Sequence, residues 1–233
     1  MPVLSRKHIE ERMGLDIENP RSLAITPLLD ENDAFDLESL DLRLGSYFLL
    51  PRFFQHPFFL ADRRASRFLE VSLHVPLGHS LVVPAHQTVL GATLEFIKLP
   101  ADVSGQILTK SSVARSFAVI ETAPWIHPGY RGCLTLEIAN VSNTPILLQP
   151  GRLIAQLVLM QTSEESPKNE LFSSKYLGPV YPEAPIFRDP AEDLARIGVT
   201  YIPFSSLDED HQTLGGQRQP ALRPRRAGDQ VID

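Results

Sequence analysis

Apolar and polar residues alternate along two stretches of the chain. In Cys133 to Ala139, Leu134, Leu136 and Ile138 fall on one side and Thr135 and Glu137 on the other; in Leu153 to Leu159, Leu153, Ala155, Leu157 and Leu159 oppose Gln156. A period of two marks a strand with one buried face, so both stretches predict β-strands. Asn140-Val141-Ser142-Asn143-Thr144-Pro145 and Gln149-Pro150-Gly151 between them have turn chemistry, which predicts an antiparallel meander. From about Ser39 to Gln161, short apolar segments are broken by Pro51, Pro57, Pro76, Pro84, Pro100, Pro128 and Pro150, at spacings that interrupt helices. Ahead of this region, Ser5 is placed to cap a short helix through Arg12, with Gly14 as a left-handed stop. Behind it, Asp189 and Pro190 open a second short helix that ends at Gly198. The chain therefore reads as an N-terminal helix and lead-in (1–38), a β core (39–162), a segment with a short helix (163–204) and a tail (205–233) too poor in large apolar groups to offset its ordering entropy.

Composition narrows the function. With 233 residues and 43% hydrophobic content the chain can bury one substantial core. Its net charge of -6 supplies no broad basic surface for nucleic acid or an anionic membrane, and Arg223-Pro224-Arg225-Arg226 reads as a solvated end. Cys133 is the only cysteine, which excludes an internal disulfide and a zinc site built on clustered thiolates. His74, His79 and His86 lack metal-ligand spacing and read as loop histidines. No run approaches the ~18 apolar residues of a membrane span, and the expected location is cytoplasmic.

Candidate chemistry lies in Leu108-Thr109-Lys110-Ser111-Ser112-Val113-Ala114-Arg115, which sets two cations and two adjacent hydroxyls within six residues. Such a cluster can hold polyphosphate by charge-assisted hydrogen bonds, although the same residues also make ordinary solvated turns. Glu137 is a polar residue on the outer side of a half-buried strand, where a carboxylate is either solvated or a general base.

Four blocks in one order carry a resemblance to the dCTP deaminases of the dCTP deaminase and dUTPase superfamily. They are Ser39-Leu40-Asp41-Leu42-Arg43-Leu44-Gly45; Leu90-Gly91-Ala92-Thr93-Leu94-Glu95-Phe96-Ile97-Lys98-Leu99-Pro100 running on to Lys110-Ser111-Ser112-Val113-Ala114-Arg115; Thr122-Ala123-Pro124-Trp125-Ile126-His127-Pro128-Gly129-Tyr130 with Leu134-Thr135-Leu136-Glu137; and Gly151-Arg152-Leu153-Ile154-Ala155-Gln156-Leu157. The resemblance implies a mainly β fold, a distorted β-barrel or jelly-roll dUTPase-like core, assembled as a homotrimer with nucleotide sites between subunits. It implies magnesium bound through the triphosphate, no protein metal ligands and no zinc. Carried over by residue, Glu137 is the water-activating base and Arg115 braces the reaction centre. Lys110, Ser111 and Ser112 hold phosphates, and Ala123, His127 and Gln156 complete the nucleotide site. Lys175 and Tyr176 belong to a lid-like segment that closes over it.

Two departures accompany the match. The family's central turn normally carries Asp where this chain has His127, and Pro124 replaces a small residue after a loop one residue short. The leading expectation is deamination of dCTP to dUTP and ammonia, possible continuation to dUMP included. The alternatives are a dUTP pyrophosphatase and a nucleotide-binding regulatory homologue without turnover.

Overall fold

The computed structural model describes residues 2–29, 34–51, 70–120, 123–167, 176, 178–186, 190–200, 213–214 and 217–218. The chain forms two compact units, Met1–Gln55 with Ser66–Ile186, and His56–Ala65 with Phe187–Asp233. All candidate site residues that are described lie in the first.

That unit is built on two antiparallel sheets. One contains β3 (Tyr47–Pro51), β4 (Glu70–His74), β6 (Thr88–Lys98), β8 (Ala118–Ile120) and β10 (Arg131–Asn140) in the order β4-β3-β6-β10-β8, with β1 (Ala24–Thr26) also paired to β6. The other runs β2-β12-β7-β9, from β2 (Ser39–Arg43), β12 (Leu153–Gln161), β7 (Val103–Thr109) and β9 (Trp125–Ile126). A small ladder joins β5 (Leu81–Val83) to β11 (Ile146–Leu148). The architecture is mainly β, as expected; among the described residues the strands form separate ladders rather than one closed barrel.

The alternation in the sequence is the pleat of the sheets. Leu136, Ile138, Leu40, Leu42, Ala155, Leu157 and Leu159 are all fully buried and share one core. Fully burying a side chain of leucine or isoleucine size contributes roughly 1.5–3 kcal/mol each, so these positions make a substantial contribution to the fold's stability. Asn140 closes β10 by donating to the carbonyls of Val83, Pro84 and Thr144 at 3.1, 3.0 and 2.8 Å, which organises the turn before β11. The two sheets are tied at one corner where Thr109 Oγ1 accepts from Ile120 N at 2.9 Å.

The N-terminal helix α1 spans Arg6–Met13 with Ser5 at its N-cap, as the sequence predicts, but the capping bond is absent. The Ser5 hydroxyl pairs instead with His8 Nδ1 at 2.9 Å, a side-chain partner three residues on that competes for it. Gly14 is right-handed (φ -75°, ψ -8°), not the left-handed stop expected, because the chain leaves the helix through a further turn. What seats the helix is Ile9, fully buried, and Arg12, which donates to both carboxylate oxygens of Asp102 at 2.8 and 2.7 Å.

A second buried acid joins the sheets. Glu95 on β6 is 3% exposed and its Oε2 accepts from Arg43 N, at the end of β2, at 2.9 Å. Desolvation pushes its pKa up from 4.5 to about 7, against the opposing pull of the Arg43 backbone bond. Because the folded protein holds this proton more tightly than the unfolded chain does, the associated stability is fully present below pH 4.5 and is lost as pH rises through 7. The loss is on the order of 3 kcal/mol. Urea unfolding of Glu95→Gln is therefore expected to match the parent near pH 4.5 and to exceed it in stability above pH 7.5; an identical pH slope in both proteins would contradict this.

In the second unit, α3 (Pro190–Arg196) is followed by Gly198 in the left-handed conformation (φ 75°), so the predicted end of this helix is where the chain turns; Asp189, its predicted cap, lies outside the described residues. Thr213–Leu214 pairs antiparallel with Gln217–Arg218 inside the stretch read as a tail. Two glycines separate these segments in the sequence, and Gly-Gly is hairpin chemistry that the compositional reading overlooked.

Candidate functional site

Strand β7 ends at Thr109, and Lys110 opens the single-turn helix α2 (Ser111–Ala114). Lys110 N donates to Ile154 O at 3.1 Å, which holds the turn against β12. Ser111, Ser112 and Arg115 are exposed on this turn, and Arg115 N donates to Ser111 O at 3.1 Å. The Lys110 ammonium forms an ion pair with Asp41 Oδ2. Asp41 is 8% exposed, and its other oxygen, Oδ1, is occluded and has no hydrogen-bond partner among the described residues.

Register explains this grouping. Gln156 stands opposite Asp41 on one neighbour and opposite Leu108 on the other. Residues directly opposite in a ladder share a face, so Asp41, Gln156 and Leu108 form one row. The next row, Leu40, Leu157 and Ile107, is buried in the core, which puts the Asp41 row on the outward face of the sheet. Lys110 thus meets Asp41 on that face, in the row that also holds Gln156.

Glu137 lies elsewhere in the unit. It is half-buried on β10 between Leu136 and Ile138, both 0% exposed, and stands opposite Leu90 of β6. It therefore points outward from the other sheet, along with Thr135. The chain after residue 177 runs back along the first half of β10: Gly178 N donates to Arg131 O and Cys133 N to Pro179 O, both at 2.7 Å, and Glu183 N donates to Thr135 Oγ1 at 3.1 Å. Gly132, at φ 144°, permits this approach, since a Cβ there would sit 2.4 Å from Pro179 Cδ. Tyr176 belongs to this returning segment and its hydroxyl accepts from Ile186 N at 2.8 Å; Lys175 lies outside the described residues. The Glu183 carboxyl is raised in pKa by desolvation, and Tyr130, which donates to Cys133 O at 2.8 Å, is raised by burial with the Cys133 and Glu183 charges adding.

His127 and Ala123 flank β9. Trp125 and Ile126 pair with Gln106 and Gly105, four and five residues back from Lys110, so the start of the His127 turn is about 15 Å of strand away from the Lys110 end. Ala123 precedes Pro124, whose carbonyl accepts from Ile107 N at 2.9 Å, and is nearer that end. Both Ala123 and His127 are exposed. One copy of the chain thus collects Lys110, Asp41 and Gln156 on one face and directs Glu137 from another. Local sequence pattern assigns Asp41 no role: its signal is a lone acid between two leucines that become core.

A family model described as dCTP deaminase-like matches residues 3–162. The chain belongs to this family. It is 30% identical over 190 residues to the dUMP-forming dCTP deaminase of Methanobrevibacter smithii, which covers 79% of this chain and 94% of that protein. It is 34% identical over 172 residues to the dCTP deaminase of Natronomonas pharaonis, covering 70% and 85%. Among solved structures, the 2'-deoxycytidine 5'-triphosphate deaminase from Agrobacterium tumefaciens matches with TM-score 0.53 at 22% identity over 72% of this chain; the chain spans about half of that one, 51%. This last likeness carries the fold, which is the dUTPase-like class expected from the sequence blocks. The dCTP deaminase-like match begins at α1 and ends with β12, so it takes in the N-terminal helix and stops before the segment containing Lys175 and Tyr176. Among the described residues, no helix is long and apolar enough to cross a membrane.

Proposed function

We propose that this protein hydrolyses dCTP to dUTP and ammonia, with Glu137 as the general base. The observation that carries this reading is a half-buried carboxylate pointing outward from β10 between two fully buried residues, in a chain of the dCTP deaminase-like family. Water attacks C4 of cytosine and passes a proton to the Glu137 carboxylate. Glu137 delivers that proton to ring N3 as the N3=C4 double bond opens. It then takes the proton of the added hydroxyl and passes it to the amino group, so that the C4–N bond breaks, C4 becomes a carbonyl and ammonia departs. One carboxylate placed within hydrogen-bond reach performs both transfers.

Lys110, Ser111 and Ser112 bind the triphosphate, Gln156 and the Ala123 backbone contact the nucleoside, and Arg115 stabilises charge at the reaction centre. His127 meets the sugar in place of the family's aspartate, and Lys175 with Tyr176 closes the site. The donor set suits magnesium carried on the nucleotide: it offers two cations, two hydroxyls and one carboxylate already engaged by Lys110, leaving phosphate oxygens and water to hold the ion. Magnesium supplies charge neutralisation of the triphosphate. The separation of Glu137 from the Lys110 face supports a site completed by a second copy, in a homotrimer whose subunits each lend one face. The dUMP-forming relatives support a second step in which another water releases pyrophosphate from dUTP.

The test follows ammonia and pyrophosphate separately after mixing the protein and magnesium with dCTP, CTP, dCMP or dUTP. Ammonia from dCTP is expected, with pyrophosphate appearing after it if the second step operates. Pyrophosphate from dUTP without ammonia from dCTP would instead identify a dUTP pyrophosphatase, and saturable binding without either product a regulatory homologue.

A further inference from the structure

We propose that Asp41 is a positioning residue of the phosphate site, holding the Lys110 ammonium on the outward face of its sheet where a polyphosphate chain is bound. The proposal rests on the reading of Lys110, Ser111 and Ser112 as phosphate ligands and adds the residue that orders them. Three observations support it. Asp41 sits in the middle of β2 between two leucines that are 0% exposed, and is itself 8% exposed, so its carboxylate is fixed by the sheet rather than by solvent. Its Oδ2 takes the Lys110 ammonium, while its Oδ1 is occluded with no partner among the described residues. Its ladder neighbour on the same face is Gln156, so the ion pair stands inside the candidate nucleotide site.

The chemistry of lysine makes such a partner necessary. An ammonium is a compact charge on a flexible four-carbon stem with three donors and no preferred fork, unlike a guanidinium. Left alone at the head of an exposed turn, it samples many rotamers, and ordering them on ligand binding lowers affinity. One donor spent on Asp41 keeps the stem in place and leaves two for phosphate oxygens. The Asp41 charge also repels phosphate, but the ammonium lies between them and screens it. The ordering effect therefore dominates, and removing Asp41 weakens binding.

The measurement is calorimetric binding of inorganic tripolyphosphate with magnesium to the full chain, alongside kcat and KM for dCTP, for the parent, Asp41→Asn, Lys110→Met and the double variant. Asp41→Asn is expected to raise the tripolyphosphate Kd and the dCTP KM about tenfold with kcat changed less, and to add nothing further in the Lys110→Met background. Equal or tighter tripolyphosphate binding by Asp41→Asn, or effects of the two single changes that simply add, overturns the positioning role. Failure of the parent to bind tripolyphosphate or dCTP overturns the phosphate site itself, a distinct result. If Asp41→Asn does not fold, Asp41→Glu keeps the charge and displaces it by one methylene; a several-fold rise in Kd is then expected, and an unchanged Kd overturns the proposal.

Discussion

Glu137→Gln is expected to abolish ammonia release from dCTP, lowering kcat by about 10²–10⁴ while the nucleotide still binds. Glutamine keeps the size and hydrogen-bonding capacity of the side chain but cannot accept and return a proton near neutral pH, so the loss falls on the chemical step. The outward position of Glu137, between the fully buried Leu136 and Ile138, means that the exchange disturbs no core contact of those neighbours. Steady-state kinetics with calorimetric binding separate the two effects: a fall in kcat with little change in Kd supports the base, and unchanged turnover removes Glu137 from the mechanism. Unchanged turnover would leave the phosphate cluster to be judged by tripolyphosphate binding, which does not involve this residue.

The largest effect on stability is expected at Asp102. Its side chain is 7% exposed and receives both donors of Arg12, itself 12% exposed, with Arg21 at 3.6 Å. Burial alone pushes the Asp102 pKa up, but the hydrogen bonds and charge of Arg12, with Arg21 adding, outweigh it and leave the pKa lowered. Asp102→Ala leaves the Arg12 guanidinium confined without its counter-charge and is expected to cost about 3–5 kcal/mol in urea unfolding, a large share of a domain's total stability. Replacing both partners by apolar residues, Arg12→Met with Asp102→Leu, is expected to recover most of that loss, because the desolvation cost of two charges disappears together with their attraction. The sign with pH follows from the depressed pKa: this contribution is present above the ordinary carboxylate range and is lost as pH falls through the lowered folded value. Asp102→Ala should therefore show a shallower loss of stability in acid than the parent. Equal stability of parent and Asp102→Ala at neutral pH would mean that the ion pair is not what docks α1.

The acids of this protein show how far a one-dimensional reading reaches. Glu137 was legible because strand alternation assigns faces: with Leu134, Leu136 and Ile138 inward, the residue between them must point out. The same rule located Gln156, and it predicted the strands that became β10 and β12. Asp41, Glu95 and Asp102 were not legible as buried charges. Each lies in an apolar or turn segment where local pattern leaves its partner unspecified, and each finds that partner far along the chain: Asp41 at Lys110, Glu95 at Arg43 and Asp102 at Arg12. The missing cap at Ser5 has the converse cause, since a side chain that local rules assign to the backbone found His8 instead.

By itself, then, the sequence determined the β class, the two principal strands, their inward and outward faces and the family to which four ordered blocks point, because periodicity and motif order are properties of neighbours along the chain. Only the tertiary structure decided that Asp41 and Gln156 stand with Lys110 on one outward face, that Glu137 leaves from another, and that the segment after residue 177 is laid along β10 past Gly132. Those facts depend on ladder register and on which strands become neighbours, and both are set by long-range packing of the core rather than by any local stretch of residues.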